Sequence, residues 1–95
     1  MVTRALLERD LEAYFTRQCK KLNLLTLKLH VRYARGWPDR IVVLSGGHTL
    51  WVELKKPGGK TTPLQDKVHK QLKDLNHTVY VLDSKEGIDS VLGPA

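Results

Sequence analysis

The chain has 95 residues, 41% of them hydrophobic, which suffices for one small domain with one core and leaves no room for a second, so residues 1–95 are read as a single unit. Lys and Arg outnumber Asp and Glu by 16 to 10, and the net charge of +6 favours an anionic partner such as nucleic acid, while the dispersal of those cations excludes a disordered polybasic tail. A single Cys19 excludes an intrachain disulfide and a cysteine zinc site, no apolar run reaches the length of a membrane span, and MVTRALLERD turns acidic too soon for a signal peptide, so a soluble, cytoplasmic protein is expected, with no membrane partner and no small-molecule cofactor.

Thr3 is placed to cap a helix over residues 4–21, where Leu7, Leu11, Tyr14, Gln18 and Leu22 recur at helical spacing and Cys19 is read as packing. Leu25, Leu27, Leu29 and Val31 then alternate with Thr26, Lys28 and His30, the period-two pattern of a strand with one wet face. YARGWP, residues 33–38, breaks that pattern. RIVVL and TLWVELK flank the turn SGGH and predict a central hairpin whose near-continuous apolar character implies burial on both faces. KPGGK is a loop by composition, and Thr62 followed by Pro63 reads as an N-cap with proline in the first helical position. Leu64, Val68, Leu72 and Leu75 give that second helix its apolar stripe, and Asn76 closes it. TVYVL is a further strand, and Ser84 caps a short helix carrying Ile88, Val91 and Leu92. The order αβββαβα predicts an α/β fold with a small mixed sheet covered by helices.

Three charges in the hairpin demand an answer: Asp39 at its start, then Glu53 and Lys55 among strand-forming residues. A half-buried strand tolerates a charge only where it faces water, pairs with another charge or holds a metal, because desolvating an ion otherwise costs several kcal/mol. Glu53 and Lys55 stand two apart and leave one face of the sheet. Antiparallel partners share a face, so Asp39 joins them only if the paired residue numbers sum to an even value. A two-residue Gly46-Gly47 loop gives an odd sum, which leaves an odd loop, such as Gly46 to His48, or a bulge. So assembled, Asp39, Glu53 and the backbone carbonyl of Leu54 offer the oxygen donors that Mg²⁺ prefers, with positions left for water and phosphate. The cation would acidify the attacking water and neutralise charge developing on the phosphate, and Lys55 would orient that water or bind a phosphate oxygen. The plainer alternative is a turn-initiating Asp39 beside a solvent-facing Glu53–Lys55 ion pair.

Pro38-Asp39 followed by Glu53-Leu54-Lys55 resembles the PD-(D/E)XK nuclease motif. The longer stretch RGWPDRIVVLSGGHTLWVELKKPGGKTTPLQ, with a helix and VYVLDSKEGIDSVL after it, resembles the VRR-NUC (virus-type replication-repair nuclease) domain in the compact stand-alone form found in bacteriophages. The Gly-x-Pro-Asp, Glu-x-Lys and Ser/Thr-Pro-x-Gln elements of that family stand here at Gly36 to Asp39, Glu53 to Lys55 and Thr62 to Gln65. The resemblance implies a restriction-endonuclease-like fold and Mg²⁺- or Mn²⁺-dependent cleavage of DNA phosphodiester bonds. For the stand-alone members it implies a homodimer acting on four-way (Holliday) junctions, in the host-cell cytoplasm if phage-encoded.

In the wider nuclease superfamily the first helix commonly supplies another acidic ligand, and ERDL at residues 8–11 resembles its usual setting, which selects Glu8. At about 100° per residue Glu8 lies about 60° from Leu11 and Glu12 about 100°, so Glu8 is nearer the core-facing stripe, while Glu12 suits a surface pair. Gln65 fits two roles that can coexist, the reciprocal partner of Thr62 in a capping box and a side chain facing the site. His30, His48, His69 and His77 have no metal-ligand spacing and are read as surface residues, with His48 a weak candidate for DNA contact. Trp51 is assigned to core packing and Trp37 to a partly exposed loop, where it could stack on a nucleotide or join a dimer interface. Arg32, Arg35, Lys56 and Lys60 flank the proposed site as phosphate clamps. Two other readings compete: an accessory flap or duplex nuclease recruited by a larger replication-repair partner, and a catalytically idle DNA-binding module. The second is disfavoured because a pure binder has no use for clustered anions facing a polyanion.

Overall fold

A computed structural model describes residues 6–30, 32 and 34–93. The elements follow the expected order: α1 (Glu8–Lys21), β1 (Leu25–Lys28), β2 (Arg40–Val43), β3 (Thr49–Leu54), α2 (Pro63–Asp74), β4 (Thr78–Leu82) and α3 (Lys85–Leu92). The first helix starts later than expected: Leu6 and Leu7 are not helical and Leu7, not Thr3, is its N-cap, while Thr3 itself and the strand residue Val31 lie outside the described residues. At the start of α1 the Asp10 carboxylate accepts the Leu7 N–H at 2.8 Å, and Glu8 and Asp10 in the first turn with Lys20 and Lys21 in the last complement the helix dipole. Thr62 and Ser84 cap α2 and α3 as the sequence predicts, accepting the N–H groups of Gln65 and Gly87 at 3.2 and 3.0 Å.

The strands form one sheet in the order β1-β2-β3-β4, antiparallel except for the β3–β4 pair, which is parallel and connected by α2. The hairpin register runs from Arg40↔Val52 to Val43↔Thr49, and a Leu44 N–H bond to the His48 carbonyl at 2.9 Å extends it. Ser45 to Gly47 remain as a three-residue loop, a single 3₁₀ turn. The loop is odd, as the charges require, and sits one residue earlier than Gly46 to His48.

Helices cover the two faces unequally. Leu11, Phe15 and Cys19 of α1 and Ile88 of α3 pack on Val42, Leu50, Val52, Leu54 and Leu82, the larger core. Cys19 is therefore helix packing, and burial raises its thiol pKa. On the opposite face α2 contributes Val68 and Leu72 to a small cluster with Val79, against which Trp51 packs. Between α1 and α3 the Tyr14 hydroxyl donates to both Asp89 carboxylate oxygens at 2.8 and 2.9 Å, and the buried Gln18 amide donates to both partners. Those bonds from Gln18 and Tyr14 hold Asp89 below the usual carboxylate range.

Three expectations need correction. The alternation of β1 is present, but its apolar face is open: Leu25 and Leu27 are 71% and 62% exposed, because α2 covers only the β3–β4 side of that face. For the same reason Val43 is exposed, so β2 is not buried on both sides. The stripe of α2 is rotated as well. Val68, His69 and Leu72 are buried, whereas Leu64 and Leu75 face outward.

Candidate functional site

Extending the β2–β3 register one residue beyond Arg40↔Val52 brings Asp39 opposite Glu53, on the face that carries Trp51 and α2. Lys55 leaves the same face two residues on, half-buried, with its N–H bonded to the Leu82 carbonyl at 2.9 Å. Asp39 is anchored by its own carbonyl, which accepts the Leu29 N–H at 2.8 Å, and by its carboxylate, which accepts the Leu54 N–H over a long 3.4 Å.

The loop before it explains the Gly-x-Pro-Asp pattern. Gly36 has φ +83°, and a Cβ there would lie 2.7 Å from Leu64 Cγ, 3.0 Å from the Leu64 carbonyl oxygen and 3.1 Å from Val68 Cγ2. Only glycine lets the loop lie this close to the start of α2. After the hairpin, Pro57 and Gly58 occupy the centre of a turn closed by the Gly59 N–H to the Lys56 carbonyl at 2.8 Å, and a Cβ on Gly59 would lie 2.9 Å from the Lys56 carbonyl oxygen and 3.3 Å from Lys55 Cβ. Both approaches to the site are therefore set by glycine-permitted backbone.

The electrostatics are those of two acids in a dry place. Burial pushes the Glu53 carboxyl up to about 7; the charges of Asp39 and Glu8 add to the rise and Lys55 opposes it. Asp39 is also raised, first by burial and then by Glu12 and Glu8, against the lowering bond from Leu54. Glu53 is 4% exposed, and its Oε1 has no hydrogen-bond partner among the described residues. Two neighbouring carboxylates with an unsatisfied oxygen are a donor set suited to a hard divalent cation, whose charge would reverse the repulsion.

The remaining predicted residues fall into place unevenly. Glu8 is exposed, and its charge reaches both acids, but among the described residues no three His, Cys, Asp or Glu side chains gather into a metal-holding group. Glu12 is occupied elsewhere: its Oε1 takes Lys28 Nζ at 2.6 Å and Arg40 Nη2 at 3.0 Å, and the Lys28 bond leads the causes that lower its pKa. Gln65 forms the cap, its Oε1 accepting the Thr62 N–H at 2.9 Å. Arg32 and Arg35 ahead of Asp39, and Lys56 and Lys60 beyond Lys55, are exposed. Trp51 is half-buried and Trp37 38% exposed, with ring centroids 5.4 Å apart.

His69 corrects the reading of the histidines as surface groups. It is 5% exposed, with Nε2 3.6 Å from Glu53 Oε1, and burial lowers its pKa, so the contact joins a neutral imidazole to a carboxyl rather than an ion pair. Its spacing from Gln65, Val68 and Leu72 was the available signal, since those positions lie on one helical face.

A mixed four-stranded sheet in the order αβββαβα, with an acid opening β2 across from a Glu-x-Lys strand, defines the restriction-endonuclease-like architecture of PD-(D/E)XK nucleases. No family model matches the chain. It is similar to "Putative nuclease p44" of Acyrthosiphon pisum secondary endosymbiont phage 1, 37% identical over 89 residues that cover 94% of this chain and 95% of that protein. A solved VRR_NUC domain superposes with a TM-score of 0.80 at 27% identity, covering 90% of this chain and 92% of that one. The chain belongs to the VRR-NUC family of nuclease domains.

Proposed function

We propose that this single-domain chain is a divalent-metal-dependent endonuclease that hydrolyses DNA phosphodiester bonds at branched substrates, four-way junctions foremost, as a homodimer. The observation that carries the reading is the meeting of Asp39 and Glu53 across the β2–β3 pair with Lys55 on their face. Asp39, Glu53 and the Leu54 carbonyl would hold Mg²⁺ or Mn²⁺, with Glu8 as an outer acid. When bound, the cation would supply an acidified water and neutralise charge on the phosphate. Glu53 must shed its proton to serve as a ligand, so with its raised pKa a proton competes with the cation for this carboxylate near neutral pH. Lys55 balances charge on the phosphate and orients the water. Arg32, Arg35, Lys56 and Lys60 hold the DNA backbone on either side, and Gln65 fixes the start of α2 over the site.

The dimer is supported by an apolar surface that the described residues leave uncovered. Leu25, Leu27 and Val43 lie exposed on the edge of the sheet, and Trp37, Val68, Leu72 and Leu75 line a groove of about 410 Å³ on the same side. Two identical sites related by a two-fold axis suit paired cuts on opposed strands of a junction.

The test is a cleavage panel of junction, flap and linear duplex with Mg²⁺ and Mn²⁺. Asp39→Asn is expected to abolish cutting while keeping or tightening DNA binding, because a ligand is lost and repulsion from phosphate falls. Substantial cutting by this variant in Mg²⁺ would remove Asp39 from the mechanism.

A further inference from the structure

The face of α2 that closes over the site presents a polar ring where its neighbours are apolar. His69 lies between Val68 and Leu72 in the buried stripe, yet its Nε2 and the Glu53 Oε1 that it faces at 3.6 Å both lack hydrogen-bond partners among the described residues. An apolar side chain would fill that position without burying a polar ring atom, but it would leave the Glu53 Oε1 with no polar group to face, so packing alone does not account for the histidine. Closing the gap to the usual N–H···O separation of about 2.9 Å takes a side-chain shift well under one ångström. No Lys or Arg among the described residues forms an ion pair with Glu53, although Lys55 shares its face. Among the described residues the oxygen that His69 faces therefore has no competing hydrogen-bond or ion-pair partner.

We propose that His69 is a positioning residue for Glu53: its Nε2–H engages Oε1 from the helix side and turns the other carboxylate oxygen toward Asp39 and the cation. The inference rests on the reading of Asp39 and Glu53 as cation ligands. An imidazole here suits the task because its ring is rigid and held on a helix, so it can fix the carboxylate in one orientation. Ligating carboxylates elsewhere depend on such partners, whose loss costs about 10- to 100-fold in metal affinity.

The experiment is a calorimetric titration of the full chain with Mn²⁺, without DNA, at fixed pH. Relative to wild type, His69→Leu is expected to weaken Mn²⁺ binding by about 10- to 100-fold. His69→Gln, whose amide nitrogen reaches the place of Nε2, should recover binding to within about threefold. Junction cutting by His69→Leu should return toward wild type as Mn²⁺ is raised, whereas a loss of fold would not respond. Far-ultraviolet circular dichroism checks the fold, and if His69→Leu does not fold, His69→Asn takes its place with the same expected loss, because its shorter amide stops at the Nδ1 position. Equal Mn²⁺ affinity in the wild type and the substituted chain, or a Gln variant no better than Leu or Asn, overturns the role of His69. Absence of Mn²⁺ binding by the wild type overturns the cation reading of Asp39 and Glu53 first, and the positioning role with it.

Discussion

Glu53 carries the chain's most informative titration. Its carboxyl keeps a proton to about pH 7 in the folded chain and to about 4.5 when unfolded, so between those values the folded state binds more protons. Stability therefore falls as pH rises through that window, by on the order of 3 kcal/mol in the metal-free protein. We expect the chain in EDTA to melt at a higher temperature at about pH 5 than at about pH 8. Glu53→Gln should flatten that slope and raise the melting temperature at the higher pH while abolishing cleavage. A variant that melts with the wild-type slope would assign the effect to another group. Glu12 runs the other way. Its pKa is lowered, chiefly by Lys28, so its contribution is complete above its unfolded value and disappears only in acid below it. The two windows do not overlap, and a scan from acid to neutral pH separates them.

At the scale of elements, the loop between β1 and β2 owes its course to one glycine. Gly36→Ala must place a Cβ against the backbone of Leu64 at a positive φ, which is expected to cost roughly 2–4 kcal/mol and to slow cleavage as Asp39 is displaced. Gly47→Ala is the control. Its φ is +78° but nothing lies within 4 Å of the added methyl, so only the strain of about 1 kcal/mol should appear, with cleavage unchanged. Urea titration of both variants checks the difference, and equal losses would mean that close approach to α2 does not matter. The same elements show what a sequence exposes. Period-two spacing put Glu53 and Lys55 on one face, hairpin parity let Asp39 join them only through an odd loop or a bulge, and the loop Ser45–Gly47 met the first condition, while the caps at Thr62 and Ser84 were legible because capping is local chemistry. The stripe of α2 was not, since Leu64 and Leu75 compete with His69 for the buried side, and only the position of β3 and β4 beneath the helix decides between them. The Tyr14–Gln18–Asp89 network joins positions more than 70 residues apart and leaves no local trace.

For the whole molecule the exposed leucines of β1 and the groove beside Trp37 make a strong claim on a second subunit. Light scattering at working concentration is expected to give the mass of a dimer, and Leu27→Lys, which adds charge to an open edge strand, should give a monomer with an unchanged circular dichroism spectrum. That monomer should nick junctions instead of making paired cuts, and DNA binding by either form should weaken steeply with salt as counterion release loses its advantage. A wild-type monomer that nicks junctions, flaps and duplex alike would defeat the junction reading and leave the metal nuclease intact. No helix among the described residues is long and apolar enough to cross a membrane. The uneven division of the core has its own outcome. Nine buried residues join α1 and α3 to the sheet, but three make the cluster beneath α2, so this helix can lift away while the larger core stays closed. In hydrogen-exchange terms α2 is therefore expected to open more readily than the strands, on the side that holds His69 over Glu53, and native-state amide exchange checks it. Anything that binds across Glu53 and Asp39 then acts as a latch on α2, and its arrival would be recorded as slowed amide exchange in a helix that it does not touch.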